Sequence, residues 1–91
     1  MTGVRAIAFD TATVRDDNRT VDVQFWSGIE PCAVLDHVDI AYGTDTVTIT
    51  LYEGSDPSAG MVACSDIAML KQVTVQLDQG VAGRRIVDGA T

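Results

Sequence analysis

The chain has 91 residues, room for a single domain spanning 1–91, and it carries 13 acidic against 6 basic side chains for a formal charge of −7. Apolar types make up 46% of it, too many for a disordered tail. It has no basic face for a phosphate backbone, so nucleic acid is not an expected partner, and no apolar run near the roughly 20 residues of a membrane-spanning helix.

Ten Thr, twelve Val and six Ile, 28 residues in all, bias the chain toward strands. Their branched side chains are stiff at χ1 and pack well on a pleated surface. A first run is predicted over 4–14, with Ile7 and Phe9 on one face and Ala6 and Ala8 on the other. A polar turn follows at 15–19. The clearest alternation is 20–26, where Val21, Val23 and Phe25 face one way and Asp22, Gln24 and Trp26 the other. Ser27-Gly28-Ile29-Glu30-Pro31 breaks that strand. The run 33–42 puts Val38, Ile40 and Tyr42 in phase, and because Asp36 falls on the same side the inward register is expected to begin near Val38. Gly43-Thr44-Asp45 turns the chain into a strand over 46–53, with Val47, Ile49 and Leu51 inward and Thr48, Thr50 and Tyr52 outward. Residues 54–60 read as a loop. Residues 61–70 fit either one helical turn or a strand ending in a bulge, and the strand is preferred. Residues 72–77 alternate again, 79–83 turn, and 84–88 make a last short strand.

Six or seven strands at this spacing predict an all-β domain. The expected form is a two-sheet antiparallel β-sandwich of immunoglobulin-like architecture, with a small open barrel as the alternative. The true immunoglobulin signature is absent, since Trp26 precedes both cysteines. A core this small is marginal and favours a staple. Cys32 and Cys64 allow one intramolecular bridge, closing a loop of roughly 33 residues at a gain of about 3–4 kcal/mol. The other reading is two buried free thiols in a reducing cytosol. A bridge implies export, yet the segment from Met1 has no apolar signal or lipid-attachment cysteine. The bridged reading therefore expects an export segment ahead of Met1 to have been removed.

Catalytic chemistry finds little support, and the chain is not expected to be an enzyme. The single histidine, His37, is placed on a solvent-facing side between Asp36 and Asp39. No serine sits in the glycine-flanked elbow that strains a nucleophile into reach. The acids, Glu30 and Glu53 among them, are expected on solvated faces and turns. Cys32, His37 and Cys64 match no zinc spacing. Asp16, Asp17, Asn18 and Asp22 are weak calcium candidates that lack the glycine register of a helical calcium loop. Asn18-Arg19-Thr20 matches a glycosylation acceptor. One of Arg84 and Arg85 is expected to form a structural ion pair with Asp88 or Asp78. No cofactor is expected.

The stretches 26–28 with 32–36, 47–54, 62–64 and 75–77 with 85–89 together resemble a group of small, uncharacterised exported or lipid-anchored β domains of high-GC Gram-positive bacteria. The likeness rests on a cysteine following a glycine, a strand ending in Glu53-Gly54, a second cysteine and an Arg85-x-x-Asp88-Gly89 ending. It implies a soluble extracytoplasmic domain with Cys32 and Cys64 as a disulfide, and no particular reaction. The resulting expectation is a monomeric or weakly associating, non-catalytic binding or structural domain of the cell envelope, with an unidentified protein or envelope component as partner. Its contact patch would be Trp26, Ser27, Gly28, Glu30 and Tyr52. The alternative is a calcium- or carbohydrate-binding module using the loop from Asp16 to Asp22.

Overall fold

A computed structural model describes residues 2–30, 32–56 and 67–90. They form seven strands: β1 (Thr2–Ile7), β2 (Thr11–Val14), β3 (Thr20–Ser27), β4 (Val34–Tyr42), β5 (Thr46–Ser55), β6 (Met69–Gln76) and β7 (Arg85–Asp88). No helix occurs among the described residues. Two sheets result, one ordered β1-β5-β4 with β7 also on β5, the other β2-β3-β6. The architecture is the two-sheet sandwich that the strand spacing predicts; neither sheet closes into a barrel.

The strict period of two builds the core. Val21, Val23 and Phe25 of β3 meet Val47, Ile49 and Leu51 of β5, joined by Val75, Leu77 and Val81. The molecule is long and thin, 46 × 20 × 20 Å with a radius of gyration of 14.3 Å. A compact chain of this length would have about 12 Å, so the fully buried layer is only a few side chains wide.

Three details depart from the expected elements. The run over 4–14 is not one strand. β1 pairs with β5 and β2 with β3, and the chain changes sheets at Ala8-Phe9-Asp10, where Asp10 N donates to Gln24 O at 2.7 Å. Ile7 and Phe9 both pack against the core, so alternation continues across the break and hides it. In β4 the pairing with β5 shifts between Leu35 and His37, leaving Asp36 as the extra residue of a bulge. The bulge returns Leu35 to the core side, three residues before Val38, where phase alone began the inward register. Finally, β7 runs parallel to β5, from Thr46↔Arg85 to Ile49↔Asp88, so the sandwich is not wholly antiparallel.

β4 pairs with Val47 through Gly54 on one edge of β5. β1 (at Leu51 to Ser55) and β7 (at Thr46 to Ile49) must therefore share the other edge, end to end. Their junction is fastened by Asp88, whose Oδ2 accepts from Phe9 N at 3.0 Å, and by Gly89 N donating to Ile49 O at 3.0 Å.

The uncertain segment 61–70 lies outside the described residues as far as residue 66. Beyond it, β6 begins at Met69, earlier than the alternation over 72–77 indicated.

Candidate functional site

Trp26 follows inward-facing Phe25 on β3 and so points out from the three-stranded sheet, 55% exposed. Opposite it on β6 stands Leu70, 48% exposed, and just before it in the chain Met69 and Ile67 are exposed as well. Four of the five exposed large apolar side chains among the described residues thus gather at one end of this sheet. Farther along the same face come polar cross-strand rows. Gln24 lies between Thr11 and Gln72, and Asp22 between Thr13 and Thr74.

The rest of the anticipated patch is dispersed. Ser27, one residue on from Trp26, turns inward and is buried. Gly28 lies against Ala33, whose Cβ is 3.2 Å from where a glycine-28 Cβ would stand. Glu30 is exposed in the following turn. Tyr52 points outward from the other sheet, since it follows inward-facing Leu51, and so lies on the opposite side of the sandwich from Trp26. There it stacks on His37, with ring centroids 4.4 Å apart and planes 12° apart. His37 is exposed between two acids as expected: Nδ1 is 2.6 Å from Asp36 Oδ2, and Nε2 is 3.8 Å from Asp39 Oδ2.

Sequence reasoning missed the buried polar group. Glu53 was expected in solvent, but it continues the inward series Val47, Ile49, Leu51 and is only 6% exposed. Its Oε2 accepts the Ser27 hydroxyl at 2.5 Å and its Oε1 accepts Arg5 Nη2 at 3.2 Å. The first bond ties β3 to β5 across the sandwich. The second runs along the β1–β5 pair to a guanidinium that is 75% exposed. The signal lay in parity, two residues beyond Leu51.

The acidic loop is already engaged by its own chain. Asp17 Oδ1 accepts from Arg19 N at 3.0 Å and Thr20 N at 2.9 Å, and its Oδ2 accepts the Thr20 hydroxyl at 2.5 Å. This is the turn in which an aspartate satisfies the backbone two and three residues ahead. Asn18 takes the left-handed conformation at φ 60°, which asparagine tolerates. Asp22 holds Arg15 through two bonds, at 2.8 and 2.9 Å, and accepts from Thr74 Oγ1 at 2.9 Å. That pairing lowers the Asp22 pKa and raises that of Arg15. A calcium ion would have to displace these donors. Among the described residues no three His, Cys, Asp or Glu side chains gather as metal ligands.

The Thr20 hydroxyl, followed by the Arg19 and Thr20 amides, lowers the Asp17 pKa from its ordinary 3.8 to about 2. A carboxylate whose pKa is lower in the folded chain adds stability above its ordinary value and loses it as pH falls toward the folded one. The urea midpoint of the native chain should therefore fall more steeply between about pH 4 and pH 2 than that of Asp17→Asn. Parallel curves would show that these bonds do not form in solution.

Arg84 departs from the expected ion pair. It donates to the carbonyls of Val81 and Gly80, both at 3.2 Å, and its guanidinium lies 5.5 Å from the centroid of Tyr42. The turn at Gln79 to Gly83 brings carbonyls within hydrogen-bond reach of it, and the ring face suits a weakly hydrated cation.

Cys32 carries no free thiol, and its carbonyl accepts the Ser55 hydroxyl at 2.8 Å. Cys64, the expected bridging partner, lies outside the described residues. No family model, curated protein or solved structure matches the chain. The site is therefore read from its own geometry, in which the exposed Trp26 end stands apart from side chains already committed to the fold.

Proposed function

We propose that this chain is a non-catalytic, extracytoplasmic domain of the cell envelope that binds an envelope component through the Trp26 end of the β2-β3-β6 sheet. The observation that carries this reading is the exposure of Trp26 and Leu70 as an outward cross-strand pair. An aromatic ring offers large contact area at small entropic cost, and such rings anchor sugars and protein partners. The rows of amide and hydroxyl groups beyond the ring suit a polar, hydroxyl-rich ligand. Export fits a Cys32–Cys64 disulfide, which the absence of a free Cys32 thiol supports.

The test uses cell-wall sacculi purified from a high-GC Gram-positive bacterium. The native chain should sediment with them and Trp26→Ala should remain in the supernatant. Equal partition of the two would overturn the reading. As the chain's only tryptophan, Trp26 also reports directly, its emission shifting to shorter wavelength when a ligand covers it. Separately, the intact mass of freshly isolated protein should be lower by two hydrogens than that of the reduced form. Two thiols that alkylate without reductant would remove the compartment assignment.

A further inference from the structure

The edges of the two sheets are protected very unequally. β4 carries the Asp36 bulge together with His37 and Asp39. β1 and β7 are short, and β1 has a pairing irregularity between Thr2 and Arg5. β2 has only four residues. Short strands, bulges and charges of this kind keep edges from pairing with other chains. β6 has none of these devices except Lys71. All eight of its residues pair in unbroken register with β3, and no other strand among the described residues pairs with it. It contains no Pro or Gly, and Lys71 is its sole ionisable residue. The Lys71 ammonium is directed across to Ala33 O at 3.1 Å rather than standing in front of the edge.

We propose that β6 is the contact between two copies of this chain, which pair edge to edge and antiparallel about a two-fold axis. The product is one continuous sheet ordered β2-β3-β6-β6-β3-β2. Charge favours a second copy as the occupant. Each chain bears −7 overall, so most approaches set acid against acid, whereas two β6 strands bring no carboxylate together. The strand also complements itself. With the axis at Val73, valine meets valine, Gln72 meets Thr74 of the second copy, and the two Lys71 stay apart. Such apolar and hydrogen-bonding cross-strand pairs are the unit of sheet stabilisation. Eight residues give an edge of about 27 Å. A contact of this size is in the small class, below about 1,200 Å², so the dimer is weak and reversible. It holds whether or not Trp26 contacts an envelope component.

Sedimentation velocity of the native chain, from roughly 10 µM to 1 mM (the weak range of about −7 to −4 kcal/mol), should show a shift from monomer toward dimer. Gln72→Lys/Thr74→Lys, both exposed positions, sets like charges opposite one another and should remain monomeric throughout with a folded β spectrum. Ala41→Lys, a single positive charge added on β4, should dimerise like the native chain. Should the double variant fail to fold, hydrogen exchange of the native chain decides: β6 amides should gain protection with concentration while β4 amides do not. A native chain that is monomeric over the whole range, a dimer lost in Ala41→Lys but kept in the β6 variant, concentration-independent β6 exchange, or a dimer that reductant dissolves would each overturn the proposal.

Discussion

Replacing Phe25 by alanine should cost about 3–5 kcal/mol, the largest effect of any single core truncation in this fold. Phe25 heads the fully buried side chains and is 2% exposed. It sits between β2 and β6 in the middle of its sheet and faces the β5 row. In a molecule only 20 Å across, no second layer exists to close over the space. A domain this size falls by about 4–8 °C in melting temperature per kcal/mol, so the midpoint should drop by at least roughly 12 °C. Calorimetry checks this, and a shift of only a few degrees would mean that the two sheets close over the gap.

Removal of the Glu53 carboxylate is the second large effect. In Glu53→Leu the Ser27 hydroxyl loses its acceptor inside the sandwich, at a cost of about 1–3 kcal/mol, and Ser27→Ala removes a bond to a buried charged group worth about 1.5–3 kcal/mol. Arg5 adds little, because its guanidinium is mostly in water. The double variant Ser27→Ala/Glu53→Leu leaves neither group orphaned and should be more stable than the sum of the single losses predicts. Urea unfolding of the four proteins measures that coupling. Additive losses would show that the 2.5 Å bond is not formed in solution.

How much was legible in the sequence divides along physical lines. The apolar inward rows of β3 and β5 were readable, because each strand buries one face and a shift of one residue would turn Val21, Val23 and Phe25 into solvent. The crossing at Ala8 to Asp10 was not, since Ile7 and Phe9 point into one interior from two different sheets. Asp36 announced itself as a polar residue on the apolar side, but the bulge that resolves the conflict is a property of the pair with β5. The parallel placement of β7 depends on which strand lies beside it in space, and no local pattern carries that. At the candidate site, exposure of Trp26 followed from alternation, as did the solvent position of His37. Glu53 was misplaced because residue type outweighed parity. Trp26 and Tyr52 were grouped by chemistry although their strands belong to different sheets.

The shared edge of β5 makes the fold asymmetric toward mechanical load. β1 runs inward from one pole and β7 inward from the other, so the chain enters at a pole and leaves near the waist. Tension applied between Thr2 and Asp88 would bend β7 back on itself and open its four pairs in succession, while β1 would be drawn along its own axis with its hydrogen bonds stressed together. Rupture strength under such pulling, a kinetic quantity, would reside in the N-terminal strand, and the C-terminal strand would release first.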